Sequence, residues 1–496
     1  MTMAATMPKA ACLCLLLALA TLWPISVGAQ SNTITYTTAD EKGLFYVFAD
    51  GEILVLDPSV NAIVKSIPNP TTPFPNNCSG TPFAGSWADG VYANGNFFAA
   101  AYYKNATIGP QDAVYVIDTK LQTLVQRVPV EARPVHIYYV PFLGEVWTHS
   151  DGTADFDVID AYNYTYVYED VIAHANISGH GKLLFDDELG SKGYASDVNQ
   201  PGVFILDLAT LVPESGLDYI SFANVSLPDG QTTVCPGTHS LAYSQINRHA
   251  YFECISYKNA SNSSQSIYPG AIEMDTTNDS IVQQLRYNGH LAITPDDQFL
   301  TITPQDAPPL SVTIIQITPV GQLDRFFAVP LNDTPGEGTP AFYPKGDYFV
   351  MAMAFLNSPY MALIDFGGVI KCGANCTDPA SLVKYVYIGN QNPPGAPASL
   401  TSSRTVDGGD YYICAAAVFD QGVGCYDVAN DTSIFIGGSL KPIRNVQRVY
   451  FAPGTLNGLP ATNLNADFNC SSAPTTLGNY PTLAPVLNGT IGVNNP

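Results

Sequence analysis

Seven histidines occur in 496 residues, and four of them recur at one place in a repeated strand-and-turn unit. His290 stands five residues before Pro295 in GHLAITPDD, and His136 stands five before Pro141 in VHIYYVP. His180 stands five before Phe185 in GHGKLLF, and His239 five before Ser244 in THSLAYS. In the unit that precedes His136 the same place holds Asp89, five before Asn94 in DGVYAN. In the two units after His290 it holds Thr339 and Thr401. Imidazoles converging beside a carboxylate make a transition-metal site of nitrogen and oxygen donors, suited to Zn, Cu, Fe, Ni or Mn. His136, His180, His239 and His290 are the candidate ligands, with Asp89 as a further ligand or a base. His149, in WTHSDG, falls near the end of the strand after that of His136. With Asp151 it is a candidate outer partner or general base. His174 and His249 fall elsewhere and read as ordinary loop or strand residues. The competing readings of the arc are a metal-free acid–base or anion site and plain polar lining of a wet channel. The chain has no G-x-S-x-G elbow, H-E-x-x-H pair, phosphate-cradling glycine loop or EF-hand loop.

These residues need elements that bring one repeat position to one depth. A β-branched or aromatic run ending in Asp, followed by a turn, supplies them. It appears as ILVLDP to Asp57, VYVIDT to Asp118, FDVIDA to Asp160 and VFILDL to Asp207. It continues as AIEMDT to Asp275, MALIDF to Asp365 and VGCYDV to Asp427, with a degenerate copy, VTIIQI, carrying Gln316. Successive copies lie 41 to 68 residues apart. Further short strands flank each copy, giving four strands per unit, the period of β-propeller blades. A lone four-stranded unit cannot bury both faces, so neighbours must stack. The expected fold is therefore all-β, a single propeller of eight blades with seven as the alternative count. The blades are expected at 33–68, 87–130, 135–173, 179–223, 236–288, 289–331, 337–388 and 396–438. A spare inner-type strand, NVQRVYFAP at 445–453, is expected to close the ring by completing the first blade. A pair of β-sandwiches is the competing architecture. In a propeller the innermost strand lines the central channel. The aligned position opens that strand, so its residues are expected to ring the axis.

The strings VYVIDT and GHLAITPDDQFL resemble the YVTN/lactonase-like β-propeller superfamily, whose repeats carry a V-x-V-I-D strand and an S-P-D-G turn. The resemblance spans most of residues 33–453 and implies fold more than function. Members include sugar lactonases, cell-surface proteins and quinoprotein-like enzymes. None of their catalytic sets matches this chain residue by residue.

Residues 1–29 read as a secretory signal, with Lys9 before the apolar run Ala11 to Leu22 and a small-residue site at Val27-Gly28-Ala29. That run is too short to span about 30 Å of hydrocarbon. Thirteen N-x-S/T sequons, from Asn77 to Asn488, fit a secreted glycoprotein. Cys12 and Cys14 leave with the signal, and eight cysteines remain for an oxidising compartment. The expected pairs are Cys235–Cys254, Cys372–Cys376, Cys414–Cys425 and Cys78–Cys470. Residues 30–453 form the propeller, and 454–496 an Asn/Pro/Thr-rich tail. With 20 basic against 43 acidic residues, nucleic acid and anionic membrane are excluded as partners. Two functional classes remain. One is an extracellular metalloenzyme, an oxidoreductase or a lyase or hydrolase, acting as a monomer on a small molecule or saccharide. The other is a non-catalytic binding or cell-surface protein that uses the propeller to hold a glycan, a protein or a metal.

Overall fold

Strand-forming runs that alternate two apolar faces must find a partner on each side, and here the partners are neighbouring blades. The computed structural model describes residues 43–452, apart from 50–51, 69–84, 104–111, 154, 169–179, 191, 209–217, 260, 305–309, 320–325, 332–339, 346, 356–358, 374–375, 390–396, 403–411, 418–420 and 438–447. It is an eight-bladed β-propeller of four-stranded antiparallel sheets. Blades 2 to 8 occupy 85–129, 134–168, 183–221, 238–285, 290–330, 341–387 and 397–437. Blade 1 is composite. Its outer three strands come from 44–68, and its innermost strand, Arg448–Ala452, comes from the far end of the chain. The ring is thus closed by the strand expected for that role. A short hairpin, Tyr257–Asn259 with Asn262–Ile267, is inserted in blade 5, and the helix Phe366–Cys372 in blade 7.

Blade stacking accounts for the core. In Leu44–Ala49 all six residues are buried. Leu44, Tyr46 and Phe48 pack with Phe97 and Tyr115 of blade 2. The alternate residues Phe45, Val47 and Ala49 pack with Cys414, Ala416 and Val423 of blade 8. A strand with period-two side chains can serve two interfaces in this way. The other blade boundaries each hold one such cluster, including Phe98 with Ile159 between blades 2 and 3, Trp147 with Phe185 between 3 and 4, and Ile413 with Ala352 between 7 and 8. The interfaces run from 1–2 round to 8–1, which decides eight blades over seven.

The Asp-ended motif is a turn device rather than a reactive group. The Asp118 carboxylate accepts the backbone N–H groups of Lys120 and Leu121, both at 2.8 Å. Asp160 holds Tyr162 N and Asn163 N in the same way, and Asp427 holds Asn430 N. A short carboxylate caps the turn between third and outer strands, the reason Asp recurs there.

Three expected disulfides are present: Cys235–Cys254, Cys372–Cys376 and Cys414–Cys425. Cys78 and Cys470, like residues 1–29 and the tail 454–496, lie outside the described residues. The sequon residues Asn163, Asn224, Asn278 and Asn430 are exposed. Among the described residues, no helix is long and apolar enough to cross a membrane.

Candidate metal centre

The four aligned histidines do gather, on or just before the inner strands of consecutive blades. His136 lies in Pro134–Val140 of blade 3, and His239 in Thr238–Ser244 of blade 5. His290 opens His290–Ile293 of blade 6. His180 sits three residues before the short inner strand Leu183–Phe185 of blade 4, where Val198 N donates to its carbonyl at 3.0 Å. The rings form a row with centroid spacings of 4.7 Å (His136–His180), 5.0 Å (His180–His239) and 5.1 Å (His239–His290).

Local backbone irregularity aims them. The pairing register shifts beside Asp89, between Pro134 and His136, and around His239. An extra residue in one strand turns a side chain away from the regular pleat. Glycine makes the close approach possible. A Cβ on Gly181 would lie 1.8 Å from the Ser196 carbonyl oxygen. Gly289, just before His290, has φ +148° and would place a Cβ 2.0 Å from Thr303 O. Cross-blade bonds then tie the inner strands of blades 5 and 6 to neighbouring blades. Ser196 Oγ donates to His239 O at 2.6 Å, and Leu291 N donates to Ser240 Oγ at 3.0 Å.

Three of the imidazoles share one arrangement. His136 Nδ1 lies 3.5 Å from Asp89 Oδ2, His180 Nδ1 3.2 Å from Asp151 Oδ2, and His239 Nδ1 3.6 Å from Glu253 Oε2. Each ring therefore has its own carboxylate behind it. On the other side, the Nε2 atoms of His136 and His180 are 3.2 Å apart. Two ligands about 2.0–2.1 Å from a tetrahedral ion are separated by about 3.3 Å. A carboxylate behind Nδ1 fixes tautomer and orientation and leaves Nε2 for a metal. His136, His180 and His239 can offer one atom each within 4.8 Å of one another, and so can His239, Glu253 and His290.

Asp89 accepts from three donors. Its Oδ1 accepts from Tyr450 OH at 2.8 Å and Gly90 N at 2.9 Å, and its Oδ2 from Ile137 N at 3.4 Å. Burial alone would raise its pKa, but the hydrogen bond and charge of His136, with Arg448 and Tyr450, hold it below the usual carboxylate range. Burial lowers the His136 pKa to about 3 against the opposing pull of Asp89. Burial also takes His290 well below its ordinary value, with Lys182 and the other histidines adding to the effect. Asp151 is likewise held low, burial being outweighed by His180, His149 and His136. These two imidazoles are thus neutral near pH 7, the state a metal requires.

His149 occupies a different place from the arc. It pairs across the sheet with His136, as the strand positions imply. Its ring, only 1% exposed, is stacked on Phe156 at 4.7 Å. Its Nδ1 is 3.3 Å from Gly181 O and 4.0 Å from Asp151 Oδ1. It stands behind Asp151 and His180. His249 pairs with Glu273 at the other end of its blade. His174 and Thr339 lie outside the described residues, and Thr401 falls on the blade 8 strand Pro397–Ser402.

Two site residues escaped the sequence pattern. Glu253 stands on the second strand of blade 5, opposite the irregularity at His239, as His149 stands opposite His136. Aligning second strands as well as inner strands would have found it. Lys182 is buried within electrostatic reach of Asp89 and Glu253. Burial lowers its pKa, opposed by Asp89 and Glu253. No spacing rule singled it out.

Fold and site together define a β-propeller with a histidine arc across adjoining blades. The chain matches no protein-family model and no curated protein at the level of sequence. It is similar in fold to AztD from Citrobacter koseri in its apo form, at 14% identity and a TM-score of 0.50 over 84% of this chain and 100% of that one. It also resembles Kuenenia stuttgartiensis hydrazine synthase, with 16% identity and a TM-score of 0.46 over 69% of this chain and 96% of that one. A 6-phosphogluconolactonase-like protein from Bacteroides uniformis aligns at 13% identity, with a TM-score of 0.41 over 65% of this chain and 92% of that one. At these identities the likeness is one of fold.

Proposed function

We propose that this protein is a secreted glycoprotein that holds a divalent transition metal on His136, His180 and His239, and that the metal acts on a small molecule or saccharide. The carrying observation is the threefold carboxylate–imidazole arrangement, with Asp89, Asp151 and Glu253 each behind one histidine. Plain polar lining gives no reason for that repetition across three blades. Formal charge supports a divalent ion. Three carboxylates, Asp89, Asp151 and Glu253, face the two cations Lys182 and Arg448, which leaves an excess of negative charge. Three protein nitrogens leave a coordination position open, and the His180 side chain is 35% exposed on that arc. Bound there, the metal supplies Lewis-acid or redox chemistry. The protein's own part is to orient the three rings and to hold His136 neutral. In this reading Asp89 and His149 act through the ligands, Asp89 directly on His136 and His149 on the far side of Asp151. Three disulfides and exposed sequon residues support an extracellular setting.

Elemental analysis of the purified protein, beside His180→Ala, tests this reading. The wild type is expected to carry metal at the His136/His180/His239 position and the variant to lack that equivalent, with unchanged circular dichroism. A folded wild type that takes up no transition metal when supplied with one overturns it.

A further inference from the structure

The four histidines divide into two ligand groups rather than one. Each ring contacts the next at about the same spacing, so the row continues past the first triad. His290 is not grouped with His136 or His180; it groups with His239 and Glu253. The second group brings a carboxylate as a ligand, and it uses residues from blades 5 and 6 instead of 3, 4 and 5. Two of its members, Glu253 and His290, are buried. Neither is one of the first triad's three histidines, and Glu253 backs His239 within it.

The geometry points to a second metal position at His239, Glu253 and His290, adjoining the first and sharing His239 with it, which requires His239 to give up its ring proton to solvent and bind through both nitrogens as an imidazolate. This rests on the metal-binding reading of the arc. The donor set is two imidazoles and a carboxylate, a combination that suits Zn, Fe, Mn or Ni rather than the soft ions that favour thiolates. Glu253 then has two states. With only the first position filled, it backs His239 Nδ1. With both filled, it becomes a ligand, while Ser240 N, 3.3 Å from Oε2, holds its orientation. Electrostatics rank the two positions. The first divalent ion outweighs the site's excess of negative charge, so the second enters without that attraction and binds more weakly.

Calorimetric titration with Zn²⁺ of metal-stripped protein, with elemental analysis of the saturated product, tests the proposal. The wild type is expected to show two equivalents, the second at least tenfold weaker. His290→Ala is expected to lose the weaker equivalent and keep the tighter one, and Glu253→Gln to lose the weaker equivalent while the tighter one, without the carboxylate behind His239, binds less tightly. His136→Ala/His180→Ala is expected to retain one weak equivalent. One equivalent in the wild type, unchanged in His290→Ala, overturns the second position and leaves the first standing. No uptake by folded wild type overturns the first reading itself. Co²⁺ spectra of the wild type alone add a check that needs no variant. A second set of d–d bands is expected above one equivalent, and spectra that stop changing at one equivalent count against the second position.

Discussion

Blade 5 carries two histidine–glutamate pairs, one near each end of the strand His249–Cys254, and they have opposite characters. His249 Nδ1 lies 2.7 Å from Glu273 Oε1. Glu273 is fully buried, and its other oxygen accepts from Gln283 Nε2 at 2.6 Å. Tyr251 OH approaches it at 3.4 Å, Asn247 Nδ2 donates to Tyr251 OH at 2.8 Å, and Asn247 Oδ1 accepts from His249 N. That network is closed on itself within one blade. The His239–Glu253 pair is looser, at 3.6 Å, and the ring faces His180 on one side and His290 on the other. A histidine beside a carboxylate therefore marks a site only when several such pairs converge from different blades. A single satisfied pair is structure.

The comparison is broken most severely if the closed pair proves dispensable. Glu273→Ala strands His249, Tyr251 and Gln283 in a buried setting. It is expected to cost about 3 kcal/mol or more in urea unfolding while leaving metal content unchanged. The open side should respond the other way. Asp151→Asn, which weakens the support of His180, is expected to lower affinity for the first metal about 10–100-fold with little change in the unfolding midpoint of the metal-free protein. If Asp151→Asn instead unfolds the protein and spares the metal, the two pairs have been assigned the wrong way round.

The smallest effect concerns pH. Folding lowers the pKa of His136 to about 3 and of His149 to about 4, burial being the main cause for both. Below about pH 6.5 the unfolded chain takes up protons that these folded rings refuse. Stability of the metal-free protein is therefore fully present above pH 6.5 and declines as pH falls toward 4. Glu145 has the opposite sign. Burial raises its pKa to about 7, so its contribution is present at low pH and is lost as pH rises through 7. His136→Gln is expected to flatten the acid side of the profile measured by urea unfolding between pH 7.5 and 4. An unchanged slope would show that His136 is solvated in solution.

Much of this was legible because a propeller repeats. The Asp-ended runs located seven of the eight blades, VTIIQI located the other, and Arg448–Ala452 closes blade 1 as its inner-type pattern implied. Blade boundaries were less sharp. Blade 4 begins its pairing at Leu183, after His180, because the glycine-flanked stretch around His180 makes backbone contacts without regular strand geometry. The local disulfides were readable from cysteines on facing strands or within one loop.

By itself the sequence determined the strand repeat and the position of His136, His180, His239 and His290 within it, because period-two strands and capped turns are local properties. Only the tertiary structure decided what each ring meets. Asp151 of blade 3 reaches His180 of blade 4, Glu253 turns to His239, and Lys182 lies buried among their charges. The same packing sets His149 behind the arc and groups His290 with His239 and Glu253. Those relations depend on the angle between blades and on rotamers fixed by neighbours far apart in the chain. A repeat alignment carries neither.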